Sequence, residues 1–178
     1  MSPSHSVRGA LFYTMRIRDV DWDNWNPRET ATLLFVIRDG QVLLIEKKRG
    51  LGAGKINGPG GRLEPDERPA ECAVREVEEE LGVTPTAVDH CGDLRFQFVD
   101  GHSILCHVYR ASNCVGEARE TDEAVPRWTA LNNIPYAEMW ADDIHWVPLM
   151  IDRQHFQGCF VLDGDTLLDH DVRVIESP

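Results

Sequence analysis

Basic residues are scarce in this sequence: 18 Lys plus Arg stand against 30 Asp plus Glu, for a net charge of −12. A long polyanion needs an extended cationic surface, so DNA and RNA are excluded as bulk partners. A small anion held by a few local cations, or through a metal, is not. The five cysteines (Cys72, Cys91, Cys106, Cys114, Cys159) are odd in number and form no C-x-x-C pair, which argues against a disulfide framework and against a cysteine zinc site. No apolar run reaches membrane-spanning length and no signal-type apolar segment opens the chain, so the expectation is a soluble, cytoplasmic protein without a membrane partner. The familiar phosphate loops are missing too. Gly54-Lys55 is followed by Ile56 and no glycine stands at position 49, so the Walker pattern fails, and no G-x-G-x-x-G register fits. Without a G-x-S-x-G elbow, and with no telling His or Cys spacing, nothing calls for a protein nucleophile.

What is present is enough apolar residue, 42% of 178, for one domain with a real core. We expect an N-terminal extension over residues 1–29, with Trp22 and Trp25 but no nameable chemistry, that packs on the domain or mediates a dimer. The main domain is expected over 30–178, with frayed ends at 1–6 and at the polar C-terminus. Residues 32–37 and 41–45 are β-branched and aliphatic runs separated by Asp39-Gly40, a hairpin signal. A glycine-rich stretch (50–61) then leads into residues 67–81. There Ala70, Ala73, Val74, Val77 and Leu81 recur at helical spacing, and Gly82 is placed to end the helix. Residues 93–99, 103–111, 156–162 and 166–175 read as strands, and 146–154 as a helix with Pro148 in its first turn. The fold class is α/β with a mixed sheet.

At about 100° per residue, Glu76, Glu79 and Glu80 share one flank of the first helix and Glu78 leaves from the other. Like charges at these spacings cost a few tenths of a kcal/mol per pair, a cost a bound divalent cation reverses. Oxygen donors alone suit magnesium or manganese rather than zinc. Taken alone, a glutamate-rich helix is more often a solvated acidic face. Here a strand and a loop holding Gly58, Gly60 and Gly61 come immediately before it, and such a loop lets backbone approach phosphate oxygens closely.

Gly61, Glu67, Arg75, Glu76, Val77, Glu79, Glu80, Gly82 and Val83 reproduce the full pattern G-x5-E-x7-R-E-U-x-E-E-x-G-U, with U aliphatic. In this the chain resembles the Nudix hydrolases. The resemblance implies an α/β/α sandwich in which Glu76, Glu79 and Glu80 are the catalytic, magnesium-binding carboxylates (manganese being an alternative) and the Gly60 carbonyl is a further oxygen ligand. It makes Glu67 and Arg75 a structural brace. It also implies in-line attack of water on phosphorus in a small nucleotide substrate.

The likeness continues outside that pattern. KKRGLGAGKINGPGG before it and MWADDIHWVPL after it are similar to the animal oxidised-purine nucleoside triphosphate diphosphatases. On that likeness Thr32, Lys47, Asn57, Pro59, Gly60, Gly61, Arg62, Phe96, Trp140, Ala141, Asp142 and Asp143 hold the nucleotide, and Glu123 is an extra metal ligand. An aromatic face can stack on a purine while two adjacent carboxylates sharing one proton read its edge. The plainer alternatives are that Asp142 and Asp143 only favour a helix N-terminus, that Asn57 and Lys47 are loop and strand-edge residues, and that Phe96 and Trp140 are core. Leu51 and Ile56 stand where that group is expected to have aromatics, and Ile104 where it is expected to have methionine, which leaves the purine preference open. Competing functions are hydrolysis of another nucleoside diphosphate derivative, such as ADP-ribose or a nucleotide sugar, and a silent nucleotide sensor. A monomer or a homodimer is compatible with all of these.

Overall fold

The computed structural model describes residues 14–176, so the expected frayed start at 1–6 lies outside the described residues. Strands β1 (Glu29–Arg38) and β2 (Gln41–Lys47) meet at Asp39-Gly40, both at positive φ (52° and 72°), the two-residue turn that sets Arg38 opposite Gln41. Beyond the turn the strands part. β1 runs parallel to β6 (Ser103–Val115) and carries the short β4 (Gly60–Arg62) on its other edge. β2 is flanked by β3 (Ile56–Asn57) and β7 (Ala124–Ala130). β5 (Thr84–Phe98) is antiparallel to β6 and parallel to β8 (His155–Asp163), and β9 (Thr166–Ile175) completes the order β3-β2-β1-β6-β5-β8-β9.

Alternation along β1 assigns the two faces. Leu34 and Val36 meet Ala73, Val77 and Leu81 of helix α1 (Pro69–Leu81). Phe35 points the other way into a cluster with Trp146, Val147 and Met150 of α2 (Asp143–Ile151) and with Phe156 and Phe160. Each large side chain so buried stabilises the fold by about 1.5–3 kcal/mol, and the helices therefore clamp the sheet from opposite sides as an α/β/α sandwich. Among the described residues no helix is long and apolar enough to cross a membrane, and all five cysteines are free.

Several boundaries differ from the sequence expectation. α1 starts at Pro69, not at residue 67, because Pro69 suits the first turn and Arg68 donates to Glu71 Oε2 (3.2 Å) at its start; Glu67 lies in the loop before it. Gly82 ends the helix at φ 72°, as expected. β5 begins at Thr84 rather than at 93. Pro85, Ala87 at φ 53° and a bulge between His90 and Gly92 break the alternation that would have marked it. α2 runs over Asp143–Ile151 instead of 146–154, so Pro148 sits inside it rather than in its first turn. β7 was not expected at all, because Pro126 interrupts the run. Residues 14–28 pack on the domain: Ile17 N donates to Asp169 Oδ2 (3.0 Å), Trp25 Nε1 to Gln97 Oε1 (2.9 Å), and Arg95 Nη1 to the Trp22 carbonyl (3.2 Å).

Candidate active site

β4 lays Gly60 and Gly61 against β1 with α1 stacked over them, and the glycines are required by what surrounds them. A Cβ on Gly61 would lie 2.4 Å from the Glu76 carboxyl, one on Gly60 2.0 Å from the Thr32 carbonyl, and one on Gly58 2.4 Å from the Phe35 ring. The loop can thus approach the acidic flank of α1 only without side chains.

That flank has the helical phase expected of it. Glu80 is buried and accepts a hydrogen bond from Gly60 N (3.1 Å). Burial pushes its carboxyl up to about 7, against the pull of nearby Lys47, with further upward pressure from Glu76 and Glu123. Glu76 is raised as well, chiefly by burial, although Arg75 Nη1 pairs with its Oε1 at 2.9 Å. The same guanidinium nitrogen reaches Glu79 Oε2 at 3.1 Å. Glu78, on the other flank, instead accepts from Thr84 Oγ1 (2.8 Å). Glu123, the residue before β7, pairs with Arg49 at 2.5 Å, and its carboxylate also disfavours charge on both Glu76 and Glu80.

Arg75 is the hub. Its Nε and Nη2 bind both Glu67 oxygens (2.7 and 3.0 Å), and Nη2 also reaches the Arg62 carbonyl (3.2 Å). This fork holds the Glu67 carboxyl down at about 2 and ties loop, strand and helix together. Glu76, Glu79 and Glu80 share the flank beside the glycine loop, with Glu123 near enough to act on two of them; the donors are all oxygen, which suits a hard divalent cation, and such a cation would offset the cost of charge on Glu76 and Glu80.

Beside this flank opens a cavity of about 520 Å³ whose wall includes Glu76, Gly60, Gly61, Thr32, Lys47, Asn57, Arg62, Phe96, Trp140, Asp142 and Asp143. Pro59 and Ala141 are not brought to it. Pro59 is buried with its carbonyl bonded to Leu34 N (2.9 Å), and Ala141 faces solvent. Glu79, Glu80 and Glu123 lie on the carboxylate flank rather than in the cavity wall. Asn57 also serves its loop, accepting from Gly58 N at 2.8 Å, and Phe96 doubles as packing, stacked on Phe160 at 5.2 Å. Trp140 is held between Lys55 Nζ, 5.0 Å from its ring centre, and Gly52, whose Cβ would meet the indole at 3.1 Å.

Asp142 and Asp143 do more than face a helix N-terminus. Asp142 precedes α2 yet makes no side-chain cap; its Oδ2 takes the Trp146 indole N–H at 3.0 Å. Asp143 Oδ2 takes Trp140 N at 3.0 Å. Both are almost fully buried, and burial raises both, with Asp142 pushing Asp143 up further. Burial and mutual repulsion thus both work against two full charges on this pair.

The cavity wall also holds Leu33, Phe98, Cys106, Trp146 and Leu162, which sequence reasoning had not singled out. Phe98 and Cys106 follow Phe96 and Ile104 at i+2, so strand alternation was the available signal.

A family model for the NUDIX domain matches residues 27–150. The chain is 41% identical over 147 residues to the oxidized purine nucleoside triphosphate hydrolase of Danio rerio, covering 82% of this chain and 94% of that protein. It is 36% identical over 148 residues to the protein of that name from Mus musculus, covering 82% and 95%. The crystal structure of a MutT protein from Bacillus halodurans superposes with a TM-score of 0.74 at 24% identity, covering 81% of this chain and 97% of that one, a likeness of fold.

Proposed function

The chain belongs to the Nudix family, and on that premise we propose that it hydrolyses oxidised purine nucleoside triphosphates to the monophosphate and pyrophosphate, consuming one water, and so cleanses the nucleotide pool. The observation that carries the substrate reading is the buried Asp142–Asp143 pair beside Trp140, on the wall of the cavity that also reaches Glu76 and the glycine loop. Oxidation changes the hydrogen-bonding edge of a purine. A pair that offers donor and acceptor together can match such an edge while the indole covers the ring.

Glu76, Glu79, Glu80 and Glu123, with the Gly60 carbonyl, would hold magnesium or manganese. When bound, the cation supplies charge neutralisation at the phosphates and Lewis acidity toward the attacking water. The chain's own residues do the rest. Glu67 fixes Arg75, and Arg75 sets the orientation of Glu76 and Glu79. Gly60 N fixes Glu80, and Lys47 stands on the cavity wall as a cation for the phosphates. The apolar wall of Leu33, Phe98 and Leu162 keeps water from the base.

A panel of 8-oxo-dGTP, 2-oxo-dATP, dGTP, dCTP, ADP-ribose and a nucleotide sugar, assayed with magnesium and with chelator, tests the reading. The expected result is the highest kcat/KM on an oxidised purine triphosphate, pyrophosphate as product, and loss of turnover on chelation. Preference for ADP-ribose or the nucleotide sugar would replace the substrate, and binding without turnover would make the chain a sensor.

A further inference from the structure

Outside the acidic flank, His90, Asp93 and His107 bring three metal-ligating atoms to one point on the β5–β6 pair. His90 Nε2 lies 2.8 Å and His107 Nδ1 2.7 Å from the same oxygen, Asp93 Oδ1, and all three donors are within 4.8 Å of one another. We propose that this triad is a second metal site, one that takes zinc or a similar transition ion rather than magnesium.

The backbone builds the triad in a specific way. His107 sits directly opposite Asp93 in the register, but His90 is three residues before Asp93 and in a regular strand would point to the other face. The bulge between His90 and Gly92 inserts one residue, so that His90 pairs with Tyr109 and turns to the face of Asp93 and His107. Tyr109 then packs edge-on against the His90 ring at 5.4 Å, and His90 also bonds the Gly92 backbone. Hydrogen bonds from both rings outweigh burial and keep the Asp93 carboxyl ionised well below the usual carboxylate range. The donor set is therefore two imidazoles and one carboxylate, half-buried, with an open side toward solvent.

Nitrogen donors select against magnesium, just as the all-oxygen flank of α1 selects for it. Tetrahedral zinc sites with bonds of about 2.0–2.2 Å place donors roughly 3.4 Å apart, so each imidazole nitrogen draws back from the Asp93 oxygen by roughly 0.6–0.7 Å. Each ring nitrogen must present its lone pair. The proton now directed at Asp93 moves to the other ring nitrogen, and one is released to water for each ring that was imidazolium. The site is separate from the acidic one. Gly61 pairs with Thr32 and Thr32 with His107, so two strand spacings, about 10 Å, lie between them. The ion would staple the bulge of β5 to β6, and its binding does not depend on which nucleotide the protein cleaves.

The test uses the full chain in saturating magnesium, which masks the carboxylates. Zinc, and cobalt as a spectroscopic substitute, are titrated against a chromophoric chelator. We expect one zinc per chain, weakened at least tenfold by His90→Asn and by His107→Asn and unchanged by Glu80→Gln. On the wild type, where no substitution can disturb folding, imidazole resonances of His90 and His107 should shift with zinc and not with magnesium. No zinc uptake in magnesium, equal affinity in the histidine variants, loss only in Glu80→Gln, or imidazole signals indifferent to zinc would each overturn the proposal.

Discussion

Gly61→Ala separates the stability of this fold from its chemistry. The backbone at Gly61 is not left-handed, so alanine is conformationally acceptable there. The added methyl, however, would lie 2.4 Å from the Glu76 carboxyl, where ordinary contact begins at 3.4 Å. Glu76 must therefore retreat by about 1 Å, and a displacement of that size in a positioned group costs about a hundredfold in rate. The stability cost is small, because what moves is the end of a flexible side chain paired only to Arg75 at 2.9 Å. About 1 kcal/mol, or 2–4 °C in Tm for a domain of this size, covers it. Gly60→Ala is the contrast: its methyl would meet the Thr32 carbonyl at 2.0 Å, a backbone atom of a paired strand, and several kcal/mol of stability should go with it. Melting curves and kcat/KM on 8-oxo-dGTP with saturating magnesium measure both effects. If Gly61→Ala folds normally and keeps kcat/KM within about threefold of wild type, Glu76 needs no fixed position and the reasoning fails.

Glu80→Gln should lower turnover at least a hundredfold while Glu78→Gln, bonded to Thr84 on the other flank, changes it little; equal losses would contradict the helical phase. Asp142→Asn can still accept from Trp146 but cannot exchange a proton with Asp143, at a cost of about 1–3 kcal/mol for a lost buried hydrogen bond. The ratio of kcat/KM for 8-oxo-dGTP to that for dCTP should then fall roughly tenfold, and an unchanged ratio would mean that the pair does not read the base. Glu67, held at about 2 from an ordinary 4.5 chiefly by its hydrogen bond with Arg75, contributes stability that is present above 4.5 and lost as pH falls through about 2. The Tm gap between wild type and Glu67→Gln should therefore close on acidification, and a gap that widens would reverse the assignment.

The acidic flank was legible because its parts are near in sequence. Helical phase alone groups Glu76, Glu79 and Glu80, while the Glu67–Arg75 brace followed from the resemblance. The base side of the cavity was only partly so. Trp140, Asp142 and Asp143 were identified by resemblance, whereas Phe98, Cys106 and Leu162 reach the wall through the β5–β6 and parallel β5–β8 registers, which nothing local specifies. The His90–Asp93–His107 cluster escaped for the same reason: an unseen bulge reverses the face of one member.

The hydrogen bond from Ile17 to Asp169 joins residues 152 positions apart, and the parallel β1–β6 ladder joins residues 75 apart from Glu29 to Ile104 onward. Such closures come at a high loop-entropy cost that is repaid only after the intervening chain has condensed. During synthesis, then, β1 emerges with only a short hairpin partner and waits for β6, and the N-terminal segment waits longer still for β9. Docking of residues 14–28 on β9 therefore awaits the last of the described strands, and hydrogen exchange at the Ile17 amide measures how readily that junction reopens.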